Sequence, residues 1–171
     1  FDDYLDSLNA RPHDVDVATQ VPHAALRVHV MGDRAMAGEA ATPDDVSAMA
    51  GLARAGVEAG ALGFTTSRTL NHRSVTGELT PTYDSEVAEL AGIAAALGEA
   101  GQGVLQLVAD FLDVDADLQV ILAMARASGL RARTCLARAG SPWPACSRAR
   151  GCGRLSARVS PPHRRARAPA G

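Results

Sequence analysis

Histidine and arginine side chains that could bind a substrate follow the ends of short apolar segments. His23 follows Gln20-Val21-Pro22, Arg68 follows an apolar run that begins at Ala61, and His72 comes four residues later. Imidazole exchanges protons near neutral pH, and a guanidinium binds a carboxylate through two hydrogen bonds. We therefore predict that His23, Arg68 and His72 bind substrate. The ordinary alternatives are a histidine that does not face an active site, an arginine paired with a nearby acid, and an exposed loop residue.

The segments that must position these residues alternate between helical and extended patterns. Thr42, Pro43 and Asp45 form a helix-start signal, because Thr caps, Pro suits the first turn and an acid three residues after the cap completes the box. Apolar residues then recur at helical spacing up to Gly60. The full pattern predicts helices over 43–59, 85–100 and 116–128, strands over 61–66 and 103–108, and, upstream, a helix end at 1–9, a strand at 15–20 and an extended piece at 26–31.

This alternation is typical of an α/β protein with a parallel sheet. A closed (β/α)8 barrel needs eight strands and about 250 residues, so residues 1–130 are either a small open α/β domain or part of a larger barrel. In both cases sites gather where strands end. The long segment between Ser67 and Tyr83 follows such an end and has little periodicity, which favours a functional loop.

Charge divides the chain at about residue 130. Residues 1–130 hold all 19 acidic residues and 7 Arg, a net charge of −12, whereas residues 131–171 hold 10 Arg and no acid, a net charge of +10. All three Cys and the single Trp also lie after residue 130. We therefore predict two regions: a partial barrel over 1–130 and a disordered tail, rich in Arg, Ala and Pro, over 131–171.

Two hypotheses explain the tail. A shift of reading frame near residue 130 in a GC-rich gene would produce this mixture of Arg, Ala, Pro, Gly, Ser and Cys, and reading the other frames tests it. A genuine basic arm would instead bind nucleic acid through its phosphates. Two observations argue against nucleic acid as the partner. The tail has a single aromatic residue for base stacking, Trp143, and the region before the tail is strongly acidic.

Several classes of protein are disfavoured by composition and motifs. No apolar run approaches the ~18–20 residues that span a bilayer, and no basic segment precedes an apolar stretch, so we predict no membrane partner and a cytoplasmic location. The first residue is Phe1 and not Met, so we expect the native N-terminus to be missing or removed. Three Cys without a Cys-x-x-Cys spacing support neither a disulfide framework nor a zinc ribbon.

Four short stretches between residues 21 and 67 match the motifs of one enzyme family. Residues 21–27, Val-Pro-His-Ala-Ala-Leu-Arg, with Val-Met-Gly at 30–32, are similar to the family stretch Val-Gly-His-x-x-Leu-Arg…Val-Met-Gly. Residues 41–46, Ala-Thr-Pro-Asp-Asp-Val, and 58–67, Glu-Ala-Gly-Ala-Leu-Gly-Phe-Thr-Thr-Ser, resemble further stretches in the same order. At 65–70 the chain lacks the aromatic residue that many members have. In these stretches the chain resembles the D-aminoacylases, the N-acyl-D-amino-acid deacylases of the amidohydrolase superfamily. The resemblance covers about residues 1–130.

The resemblance implies a (β/α)8 barrel with a small β domain and a zinc ion at the strand ends. That zinc would activate water for attack on an amide carbon, with an Asp of the last strand as general base. The family's His-x-His and bridging Cys would precede Phe1, and its later His ligands and Asp would follow on later strands. We therefore assign no metal ligand and no catalytic residue to this chain, and expect it to bind no zinc.

Together these observations predict an internal fragment of a metal-dependent amidohydrolase that is inactive alone. The intact enzyme would hydrolyse an amide C–N bond of a small molecule, an N-acyl amino acid or a related amide. The alternative is a non-catalytic α/β fragment or pseudoenzyme whose basic tail binds nucleic acid or other acidic partners.

Overall fold

The computed structural model of the protein describes residues 1–136. Helices and strands alternate along most of this range, as the sequence pattern predicts. The elements are α1 Asp2–Asn9, β1 Val21–Pro22, α2 His23–Met31, α3 Asp33–Met36, α4 Pro43–Glu58, β2 Gly63–Arg68, α5 Val87–Ala100, β3 Val104–Ala109, α6 Val114–Ser128 and β4 Arg131–Leu136.

The long helices begin and end at the predicted signals. At the start of α4 the Thr42 hydroxyl accepts a hydrogen bond from the Asp45 amide, and the Asp45 carboxylate accepts one from the Thr42 amide. This is a complete capping box, which satisfies two amides that the first turn leaves unpaired. Gly101 and Gly129 adopt left-handed conformations at the ends of α5 and α6. Glycine reaches that conformation without steric cost, so both helices stop there.

The four strands form one parallel sheet in the order β1-β2-β3-β4. The order never reverses, and α4 packs against α5 and α5 against α6. Successive crossovers of one hand place such helices on the same side of the sheet. Buried strand residues face these helices and form the core with Met49, Leu90, Ile93 and Leu97. These features are those of part of a (β/α)8 barrel, in which helices cover only the outside.

Alternation along the strands gives the sheet two different faces. The helix-packed face carries Phe64, Thr66, Leu105, Leu107 and Ala109, all of which are buried. The open face consists of Thr65, Ser67, Gln106, Val108 and Arg133, which are half-buried or exposed. Paired residues of parallel strands share a face, so the register of Thr65 with Gln106 and Ser67 with Val108 supports this division. The open face is the side that lines the interior in a complete barrel.

Strand β2 approaches β3 so closely that its first residue must be glycine. A Cβ atom on Gly63 would lie 2.0 Å from the carbonyl oxygen of Val104, and the φ of Gly63 is +157°. Any side chain there would push β2 away from β3 and displace the residues at its far end.

Two upstream predictions are wrong. Residues 15–20 form no strand: the sheet begins at Val21–Pro22, although the Thr19 carbonyl accepts a hydrogen bond from Leu62. Residues 26–31 are not extended but belong to helix α2, which buries Leu26, Arg27 and Met31 on one face. A short apolar run fits a strand as well as a buried helix, so its periodicity could not separate the two.

The sheet also continues past the predicted boundary at residue 130. Strand β4 runs parallel to β3, with Val104 opposite Arg131 and Ala109 opposite Leu136. Within β4, Ala132 is buried against the helices, whereas Arg131 and Arg133 are exposed on the other side. Arginine at the exposed positions hides the apolar alternation that marks most strands. The rest of the predicted tail, residues 137–171, lies outside the described residues.

Within residues 1–136, no helix has the length and apolar character needed to cross a bilayer.

Candidate functional site

Strand β2 ends in three polar residues that point to alternate sides of the sheet. Thr66 and Arg68 lie on the side of the helices, and Ser67 lies on the open face. The carboxyl ends of parallel strands are where α/β barrels place their sites. Each of the three residues binds a different partner, and together the contacts involve all three predicted substrate-binding residues.

On the open face, Ser67 and His72 form a hydrogen-bonded pair. The Ser67 hydroxyl lies 2.6 Å from Nδ1 of His72, and the imidazole is exposed. No side chain of residues 1–134 forms a hydrogen bond with Nε2 of His72. Where the hydroxyl donates to Nδ1, the neutral ring carries its proton on Nε2, which is then a donor toward the open face.

The turn that leads to His72 is held by the next strand. Asp110 follows β3 directly, and its carboxylate accepts hydrogen bonds from the Thr69 hydroxyl at 2.6 Å and the Leu70 amide at 2.7 Å. The amide group of Asn71 also donates to it at 3.4 Å. Thr69 is fully buried. The strands β2 and β3 are thus joined at their carboxyl ends by side-chain contacts as well as by the sheet.

Arg68 lies on the other side of β2, between the sheet and α6. Its Nη1 donates to the Ser85 carbonyl at 2.7 Å, and its Nε lies 3.7 Å from the carboxylate of Asp117. Burial raises the pKa of Asp117, although the positive charge of Arg68 partly opposes that rise. Arg68 borders a cavity of about 150 Å³ that is also lined by Tyr83, Asp84, Asp110, Leu112, Asp113, Ala116 and Asp117. Arg68 therefore lies beside an acid, Asp117, as the alternative prediction for this residue expected.

His23 lies in the interior behind the end of β2. The residue is 1% exposed, and both ring nitrogens are bonded: Nδ1 to the Thr66 hydroxyl at 2.9 Å and Nε2 to the Glu89 carboxylate at 2.8 Å. An ionised carboxylate only accepts, so Nε2 of the neutral ring carries the proton and Nδ1 accepts from Thr66. Burial lowers the pKa of His23, although the hydrogen bond to Glu89 opposes the change. Such a ring has no surface for a substrate.

Glu89 connects His23 to a buried arginine. Its second oxygen accepts from Nη1 of Arg27 at 2.5 Å, and both side chains of this ion pair are 2% exposed. The other end of Arg27 donates to the Glu39 carbonyl. Burial opposes ionisation of Glu89, but the hydrogen bond from His23 and the charge of Arg27 outweigh it and lower the pKa of Glu89. The ion pair and its hydrogen bonds tie α2, α5 and the end of β2 together.

The structure therefore separates the three predicted residues. His72 and Arg68 lie near the end of β2 but on opposite sides of the sheet, and His23 is enclosed behind them. The sequence pattern does not identify Ser67, Thr66 or Glu89 as site residues. Glu89 had a signal in the sequence, since it lies four residues before Ile93 on the apolar stripe of α5, where an ionised residue requires a partner.

The described residues contain no set of side chains that could bind a zinc ion. Within residues 1–136, no group of three or more His, Cys, Asp or Glu side chains has an arrangement that could hold a metal ion. Both nitrogens of His23 and the carboxylate of Asp110 are already bonded to protein groups. The described residues do not fit the metal, so metal chemistry in an intact enzyme of this kind requires ligands from other parts of its chain.

Comparison with known proteins places the chain in a family. A model described as the amidohydrolase family matches residues 1–164, so the chain belongs to the amidohydrolase family, as the resemblance predicted. A 66-residue stretch is 42% identical to the D-aminoacylase of Alcaligenes xylosoxydans xylosoxydans. That stretch covers 39% of this chain and only 13% of the relative. No solved structure matches the chain.

Proposed function

We propose that this chain is part of a metal-dependent amidohydrolase that cleaves an amide C–N bond. The proposed substrates are N-acyl amino acids or related small amides, and the proposed metal of the intact enzyme is zinc. Membership of the amidohydrolase family supports the reaction class. The name of the similar protein, D-aminoacylase, supports the substrate class.

The observation that carries the proposal is the Ser67–His72 pair at the end of β2 on the open face. Active sites of (β/α)8 barrels lie at the carboxyl ends of the strands, inside the ring of helices. With the Ser67 hydroxyl donating to Nδ1, the neutral ring of His72 carries its proton on Nε2 in that position, and this N–H suits the carbonyl or carboxylate oxygen of an N-acyl amino acid. We propose that His72 binds substrate there and that Ser67 orients its ring.

The other two predicted residues have different roles in this proposal. Arg68 borders the cavity behind β2 but is partly neutralised by Asp117, so we propose that it contacts substrate only at the edge of the site. His23 supports the strand end from inside and does not bind substrate, because its ring is enclosed.

We also propose that this chain does not hydrolyse amides by itself. Its described residues hold no metal-ligand group, and the matched stretch is a small part of the D-aminoacylase relative. The alternative function, binding of nucleic acid or other acidic partners by a basic tail, depends on residues 137–171, which lie outside the described residues.

A chimera tests the proposal. Residues 21–136 of this chain, which include His72, replace the corresponding segment of the Alcaligenes enzyme, and hydrolysis of N-acetyl amino acids is measured together with zinc content. The chimera is expected to bind zinc and hydrolyse amides, and its His72→Ala variant to lose most of kcat/KM while keeping its zinc. A folded, zinc-loaded chimera without activity, or full activity in the His72→Ala variant, would contradict the proposal. The 171-residue chain with added zinc is the matched control, for which we expect no turnover.

A further inference from the structure

The six residues from Ser67 to His72 form a tight turn at the end of β2. In an extended chain these residues would span about 16 Å at 3.3 Å per residue. Instead, the side chains of Ser67 and His72 lie 2.6 Å apart. Some contact must therefore hold the intervening turn closed, because a flexible segment of this length samples many wider conformations.

The contact that closes the turn comes from Asp110. Its carboxylate is bonded by three consecutive residues of the turn, Thr69, Leu70 and Asn71. Within residues 1–134, no other carboxylate accepts a hydrogen bond from Thr69, Leu70 or Asn71. A further hydrogen bond lies within the turn itself: the backbone amide of Asn71 donates to the Thr69 hydroxyl at 3.1 Å. The position of Asp110 is itself fixed, since it follows β3, which pairs with β2 along its whole length.

We propose that Asp110 is a positioning residue: by closing the turn at Thr69–Asn71, it holds the imidazole of His72 against Ser67. Asp110 does not touch the imidazole and acts only through the turn. The value of this position for catalysis rests on the proposed function, but the geometric effect does not. Asp110 also lines the cavity that Arg68 borders.

A matched control exists in the same loop. Asp113 lines the same cavity, and its carboxylate accepts a hydrogen bond from the Ala116 amide at 3.0 Å, which caps α6. It makes no bond to the 69–71 turn. Removal of either aspartate deletes one negative charge from the cavity and at least one hydrogen bond to a backbone amide, but only Asp110 is expected to affect His72.

The test is the ¹⁵N resonance of His72 Nδ1 in the full chain, which reports the hydrogen bond from Ser67. Ser67→Ala gives the reference for a lost bond. Asp110→Ala is expected to move the resonance most of the way to that reference, Asp110→Asn to restore part of the wild-type position, and Asp113→Ala to leave it unchanged. Asparagine rescues in part because its oxygen still accepts from Leu70 and its amide can donate to Thr69.

A folded Asp110→Ala variant with the wild-type resonance would overturn the proposal, as would an equal displacement in Asp113→Ala. If Asp110→Ala does not fold, Asp110→Asn decides, since it removes the negative charge and one acceptor oxygen of Asp110 at nearly constant volume. The Nδ1 resonance of His72 in that variant is expected to move part of the way to the reference, and an unchanged resonance refutes the positioning role. A displaced resonance in Asp110→Ala alongside an inactive chimera would refute the proposed function and leave the positioning role intact.

Discussion

Two consecutive residues of β2 each bond to a histidine, in opposite environments. Thr66 bonds to His23 on the helix-packed face, where His23 also contacts Glu89 and has no exposed edge. Ser67 bonds to His72 on the open face, where the ring is exposed. The chemical groups are nearly the same, a hydroxyl and an imidazole nitrogen. Alternation of the strand alone sends one pair into the core and the other toward solvent.

The difference shows how burial decides the role of a residue. A buried polar group must have its partners in place, because a missing bond costs the full desolvation of the group that remains. An exposed group exchanges its partner for water at little cost, so it remains available to a ligand. We therefore expect the Thr66–His23 pair to affect stability and the Ser67–His72 pair to affect binding, and mutations can test this division.

The largest effect is expected at Glu89, which supports the buried pair. Glu89→Ala leaves the Arg27 guanidinium buried without its counter-ion and removes the partner of His23 Nε2. Loss of one member of a buried ion pair costs about 3–5 kcal/mol. Urea unfolding of the full chain measures the change in the free energy of unfolding. Glu86→Ala, at an exposed position just before the same helix, is the control and is expected to stay within about 0.5 kcal/mol. Equal losses at both positions would contradict a structural role for the buried network.

The buried His23 is also expected to make the stability of the protein depend on pH. Burial lowers the pKa of His23, so the folded protein binds fewer protons there than the unfolded chain, whose histidine titrates near 6.5. Stability is then full above that value and is lost as the pH falls from 6.5 toward the lowered pKa. For a single proton, the slope is at most about 1.4 kcal/mol per pH unit.

Unfolding free energies between pH 7 and pH 5 measure this slope. His23→Gln is expected to lower stability at pH 7 and to flatten the pH dependence relative to the wild type. Asp117, whose raised pKa acts in the opposite direction as pH falls, is present in both proteins and cancels in the comparison. If the slope survived in His23→Gln, some other group would be the source of the acid sensitivity.

Much of the fold follows from local signals in the sequence. The Thr42-Pro43-x-Asp45 start and the glycine stops at Gly101 and Gly129 identify helices whose ends the structure reproduces to within about two residues. The sequence pattern could not identify the helix at 26–31, because a short apolar run fits a strand as well as a buried helix. The sequence pattern also could not reveal β4, where Arg131 and Arg133 occupy the exposed positions of the strand.

The candidate site was harder to predict, because its contacts join residues far apart in the chain. His23 and Glu89 are 66 residues apart, and Asp110 lies about 40 residues from the turn that it holds. Sequence position identified His23, Arg68 and His72 as polar residues at strand ends. It did not show which side of the sheet each would occupy, since that depends on the register of β2 against β3.

The smallest expected changes in the free energy of unfolding come from removing the hydroxyl of Thr66 or that of Ser67. Thr66→Val keeps the shape of the side chain but leaves Nδ1 of His23 as a buried acceptor without a donor, which costs about 1–3 kcal/mol. Ser67→Ala removes a hydroxyl whose partner is exposed to water, so its effect on unfolding should stay within about 0.5 kcal/mol. The same urea titration measures both, and the His72 resonance shows that Ser67→Ala has removed its bond. Equal losses of unfolding free energy in the two variants would mean that the open face is covered in solution. The Thr66–His23 and Ser67–His72 pairs would then not differ in burial.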